Sequence, residues 1–166
     1  MMIRTTQKLT MAGVFAAGAM FTWALGGIGP QDAQATPSQG LTTTIIAGPT
    51  VLGEGHVKSE SDMNEVEFEA KGASDLYVVH NKIVPGGHTG WHSHPGISFV
   101  MVRNGTATEY HADEPNTPHV YPKGSCLVEP AGRVHRIVNE GDTDLELVAF
   151  QIIPFGATRR TDAPAP

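Results

Sequence analysis

The chain has 166 residues, a net charge of −6 and one cysteine, Cys126. Its length suits a single domain, and one cysteine excludes an internal disulfide. A surface this acidic would repel phosphate, which excludes nucleic acid and argues against anionic lipid as a partner.

The first segment stands apart. Arg4 and Lys8 precede an uncharged run over 9–29, and "AQA" follows at 33–35. A basic start, an apolar middle and a small-x-small end predict a secretory signal peptide over 1–35, cleaved after Ala35. The alternative is an uncleaved N-terminal membrane anchor, since a spanning helix needs roughly 20 apolar residues. With cleavage the product is secreted and has no stable membrane association.

After a short lead-in, "LTTTIIAG" at 41–48 is rich in β-branched residues and predicts a strand. "GEGHVKSESDMN" reads as loop. "EVEFEA" at 65–70 alternates acid with apolar, as a half-buried strand does. "DLYVVHNKIVPGG" predicts a longer strand ending in a Pro-Gly-Gly turn. "ISFVMVRNGTATEYHA" predicts a hairpin about its Asn-Gly, followed by a loop, "DEPNTPHVYPKG". Three short strands are expected between 125 and 154. The expected domains are thus the signal peptide, a β-domain over 36–154 and an irregular tail over 155–166. Short strands with regular turn signals point to an antiparallel sandwich or barrel.

The chemistry is concentrated in "GGHTGWHSHPGIS", residues 86–98, which holds His88, His92 and His94. On a strand His92 and His94 would face one side, and two converging imidazoles are half of a transition-metal site. Ser98, Val100 and Val102 share their parity and are expected to point inward as pocket lining. Trp91, on the opposite parity, should face away from the histidines. His56, His80, His111 and His119 are expected at the surface, and Cys126 is expected to be buried.

The wider spacing carries more. Gly86, His92, His94 and Gly105 lie at the intervals G-x5-H-x-H-x3-x-x6-G, and Gly124, Pro130, Gly132, His135 and Asn139 at G-x5-P-x-G-x2-H-x3-N. This resembles the two signature motifs of the cupin superfamily. The second motif matches at every fixed position, and the first at all but one. The resemblance implies an all-β fold, an antiparallel jelly-roll β-barrel, with His92, His94 and His135 as metal ligands. It implies one divalent transition metal, among Fe, Zn, Mn, Cu and Ni, and a small-molecule ligand. Homodimers are common in the superfamily, so one is expected here on the resemblance alone. Asn139 would support a turn.

One departure limits the reading. The superfamily's glutamate falls at Ser98, whose hydroxyl is a poor ligand without charge, leaving a three-histidine variant. His88 is the alternative fourth ligand. No other acid is placed in the pocket by spacing, so no general base or catalytic residue can be named. Two functions follow from the resemblance. One is a mononuclear metal-dependent dioxygenase acting on a small organic molecule. The alternative is a non-catalytic small-ligand or metal-binding barrel.

Overall fold

The computed structural model describes residues 35–166. The expected signal peptide therefore lies, but for Ala35, outside the described residues. Twelve strands follow in order: β1 Gln39–Leu52, β2 Gly55–Glu60, β3 Glu65–Ala70, β4 Ser74–His88, β5 His92–Ser93, β6 Ile97–Asn104, β7 Thr106–His111, β8 Glu114–Pro122, β9 Cys126–Glu129, β10 His135–Val138, β11 Leu145–Pro154 and β12 Thr161–Asp162. No helix occurs among the described residues, and the fold is the antiparallel barrel expected.

Two runs of strands make the barrel. In one, β4 pairs with β1 on one edge and β11 on the other, and the run continues through β6 to β9. In the other, β10 pairs with β5 and β7, with β12 beyond β5 and β8 beyond β7. The runs join where His88, at the end of β4, pairs with Val138. Side chains from both meet in one core, with Val79, Ile83, Val100 and Leu147 from the first and Ala107 and Ile137 from the second.

Strand periodicity accounts for that core. Along β11, Leu145, Leu147, Ala149, Gln151 and Ile153 are buried, and the residues between them are not. Along β6 the same alternation buries Ser98, Val100 and Val102. Each fully buried Leu or Ile contributes roughly 1.5–3 kcal/mol of transfer free energy. Asn139 is buried at the end of β10, donating to Ile83 O and Thr143 O and accepting from Gly141 N. It ties a turn together and does not face the cavity.

Several local expectations are corrected. Asn104-Gly105 does not close a hairpin, because β6 pairs with β11 and β9 while β7 pairs with β10 and β8. Gly105 adopts φ +76° and lies so close to β11 that a Cβ would meet Asp144 O at 3.1 Å. The chain crosses there from one run to the other. The real hairpin is β7–β8, within which the expected loop over 113–124 forms most of a strand. "EVEFEA" is not half-buried; it pairs with β2 as a separate, largely exposed two-stranded sheet. Cys126 is exposed, because parity on β9 turns Leu127 and Glu129 inward instead.

The tail is not irregular throughout. Thr161 and Asp162 pair with Ser93 and His92, and Thr36 N donates to Ala163 O at 2.9 Å. The barrel thus extends past 154 and closes over β5.

Candidate metal centre

β5 and β10 bring His92 and His135 directly opposite one another. Cross-strand neighbours share a face, and their ring centroids are 4.4 Å apart. His94 follows just beyond β5, with ring centroids 4.9 Å from His92 and 5.5 Å from His135. Gly132 N donates to His94 O at 2.8 Å, so the two histidine motifs are tied by backbone as well. All three rings are buried, and their ligand atoms lie within 4.8 Å of one another.

Each ring is oriented in the same way. His92 Nδ1 bonds to Gly90 O at 3.0 Å, His94 Nδ1 to Arg159 O at 2.8 Å and His135 Nδ1 to Arg133 O at 2.9 Å. A carbonyl can only accept, so each Nδ1 is the donor and the neutral ring presents an Nε2 lone pair. Such carbonyl contacts are how proteins set the tautomer of metal-binding histidines. Gly90 makes one of these contacts through a constrained turn. Its φ is +71°, and a Cβ there would lie 2.3 Å from Thr36 O.

The acid absent from position 98 enters from the neighbouring strand. Ser98 on β6 pairs with Glu129 on β9, so both side chains face inward. The buried Glu129 carboxylate lies 3.1 Å from His135 Nε2 and 3.5 Å from His94 Nε2. Burial works to raise its pKa, but His135 and then His94 outweigh burial, and the net shift is downward. Burial pushes the His92 and His94 rings below the ordinary imidazole range, which favours their neutral forms. Burial also opposes charge on His135, but the adjacent Glu129 overcomes it and raises that pKa.

These residues fit a divalent metal. A buried ionised carboxylate must be paired with a cation or ligate one, and His135 Nε2, though close to Glu129, has no hydrogen-bond partner. Three imidazole nitrogens converge on one space, and the Glu129 carboxylate lies beside two of them, those of His94 and His135. Such a donor set suits Zn, Fe, Cu, Ni or Mn better than Ca or Mg. A proton on His135 and a metal would compete for the site, so binding should release a proton.

Above the cluster is a cavity of about 190 Å³. His92, His94 and Glu129 lie at its polar end, and Val100, Ile137 and Leu147 form apolar wall. Of the three residues expected as lining, Val100 takes that place. Ser98 lies beneath, accepting from Gln151 Nε2 at 2.9 Å, and Val102 packs in the core. His88 stands outside the cluster; its Nδ1 accepts from Gly90 N at 3.1 Å and braces the turn. Trp91 is buried, with the Arg136 guanidinium 5.0 Å from its ring centre.

Sequence reasoning missed Glu129, Gln151, Arg159 and Glu109. For Glu129 and Gln151 the signal was present, since each is polar on the inward parity of its strand. Arg159 left no signal, because only the folded tail brings it to the cavity. His111, expected at the surface, is buried on the inward parity of β7 beside Glu109, its Nε2 3.3 Å from Glu109 Oε1. Burial raises the Glu109 pKa. One oxygen of this carboxyl lies within 4.8 Å of ligand atoms of His135 and Glu129.

Fold and site together define a small antiparallel β-barrel with a buried imidazole–carboxylate cluster at the base of a cavity. The family model described as "Cupin domain" matches residues 79–151, the part of the barrel that holds all three histidines and Glu129. The chain is 42% identical over 80 residues to auxin-binding protein ABP19b of Prunus persica, covering 46% of this chain and 38% of that protein. The chain therefore spans about two fifths of that relative's length. Among solved structures it resembles the polyketide cyclase RemF from Streptomyces resistomycificus, at TM-score 0.52 and 14% identity over 77% of this chain and 79% of that one. A cupin-2 domain protein from Rhodospirillum rubrum matches at TM-score 0.51 and 13% identity, over 78% and 68%. At these identities the structures bear on fold alone.

Proposed function

We propose that this chain is a mononuclear metal-dependent cupin that oxidises a small organic molecule bound in its cavity. The observation carrying the proposal is the convergence of His92, His94 and His135, each ring held at Nδ1 by a carbonyl, with the Glu129 carboxylate beside His94 and His135. A bound divalent metal supplies Lewis acidity and open positions for substrate or dioxygen. The chain's own residues do the rest. His92, His94 and His135 would hold the ion, and Glu129 beside them would offset part of its charge. Val100, Ile137 and Leu147 exclude water from one side of the ligand. Export, with a mature terminus at Thr36, belongs to the same proposal.

The test is oxygen consumption by metal-loaded protein across a broad screen of small organic molecules. Uptake with some substrate, lost on chelation and regained with one metal, is the expected result. Tight ligand binding without uptake of oxygen by any compound would replace this reading with the non-catalytic barrel. N-terminal sequencing of exported protein checks cleavage after Ala35, and an intact N-terminus would overturn it.

A further inference from the structure

Arg159 is the residue that the metal cluster leaves unexplained. Its backbone carbonyl holds His94 Nδ1, while its side chain lines the cavity. The guanidinium donates from Nη1 to Gln151 Oε1 at 3.0 Å. Gln151 donates in turn to Ser98 Oγ, and Ser98 lies directly opposite Glu129 on the neighbouring strand. Hydrogen bonds thus link the arginine to Ser98, the cross-strand neighbour of Glu129.

What Arg159 lacks is an anion. Its neighbour Arg160 also lines the cavity but is paired, through Nε to Asp162 at 2.6 Å and through Nη2 to Thr89 O at 2.7 Å. Arg159 has no carboxylate partner among the described residues; burial, and then the charge of Arg160, act against its own charge. A half-buried guanidinium whose only acceptor is a neutral amide remains electrostatically unsatisfied. With a dication bound at the base, Glu129 and the buried Glu109, whose charge burial opposes, would not balance the ion together with Arg159. The net field at its centre is positive and selects a negative ligand.

From this geometry we infer that the cavity binds a small organic carboxylate, its headgroup held by Arg159 between Gln151 and the metal cluster. The planar guanidinium fork matches a carboxylate in two-point contact. Val100, Ile137 and Leu147 are placed to cover an apolar body. Size is consistent: an engineered apolar cavity of about 150 Å³ takes up benzene, and this one measures about 190 Å³. The inference deepens the proposed function by naming a substrate class, and it rests on that reading of the cavity as the ligand site.

Calorimetric titration of the full mature chain with acetate, pyruvate and benzoate, each against its neutral amide, tests it. Metal content is measured on the same samples. At least one carboxylate should bind about tenfold or more tightly than its amide. Arg159→Gln should abolish that preference while metal content and melting temperature hold, because the carbonyl that orients His94 is backbone and survives. Arg159→Lys, which keeps charge but loses the fork, should retain part of the preference and covers the case in which the glutamine variant does not fold. No carboxylate outbinding its amide, or a preference unchanged in Arg159→Gln, would overturn the inference. Failure of the metal reading is seen separately, as wild-type protein without metal that still prefers carboxylates.

Discussion

The barrel holds two clusters of histidine and glutamate at similar spacing, and they differ in where their ring nitrogens are committed. In the inner one, each of His92, His94 and His135 spends Nδ1 on a backbone carbonyl and turns Nε2 to a common space. In the outer one, Glu114 Oε1 takes His111 Nδ1 at 3.0 Å, His119 Nε2 at 3.1 Å and Arg133 Nη2 at 2.8 Å. The second nitrogen of His111 faces Glu109. The outer cluster is an ion and hydrogen-bond network already satisfied by its own members. Only the inner one presents lone pairs around a buried carboxylate. Ligand type and proximity do not separate the two; the partner of the far nitrogen does.

The largest test of that contrast is metal stoichiometry. His135→Ala or His92→Ala should take the protein from about one ion per chain to almost none. His119→Ala should leave the content unchanged. Loss of metal in all three variants would show that the outer cluster also binds.

The carboxylate is the next test. Glu129→Gln should weaken metal binding by more than the roughly 10–100-fold typical of residues that merely orient a ligand. The double variant Ser98→Glu with Glu129→Ser returns the acid to the first motif and should recover much of the affinity. Chelator competition measures both, and recovery shows that the site needs an acid from either strand.

Removing residues 158–166 probes how the inner rings are oriented. His94 would lose the Arg159 carbonyl, and β5 would lose β12. Metal affinity should fall by about tenfold, and melting temperature should drop. Affinity unchanged by the truncation would mean that the tail does not position His94.

The smallest effect belongs to the outer cluster. Hydrogen bonds from His111 and then His119 hold the Glu114 pKa below its ordinary 4.5. A depressed carboxylate contributes stability above its unfolded value that is lost as pH falls through the folded one. Thermal unfolding between about pH 6 and pH 3 should therefore lose less stability in Glu114→Gln than in wild type. Parallel curves would break the network assignment.

Much of the inner cluster was legible in the sequence. The resemblance of the histidine intervals to the cupin motifs pointed to His92, His94 and His135 as one site, and strand parity placed Ser98, Val100 and Val102 inward, as they are. The carboxylate was half legible, because Leu127 and Glu129 share a parity that could have turned an acid inward. Its position opposite Ser98 was not, since strand register between β6 and β9 depends on pairing far along the chain. The Asn-Gly turn misled because hairpin chemistry is local, whereas the partner of β6 is chosen by burial of β11 and β9.

Sequence alone therefore determined that His92 and His94 share a face and which side of each strand is apolar, because both follow from a period of two, while His135 was joined to them by the resemblance to the cupin motifs. Tertiary structure decided what completes the site. Glu129 brings a buried acid opposite Ser98 and beside His135, and the returning tail brings a carbonyl to His94 and a guanidinium to the cavity. Those contacts join residues 31 and 65 positions apart, a distance over which only the closed barrel fixes geometry.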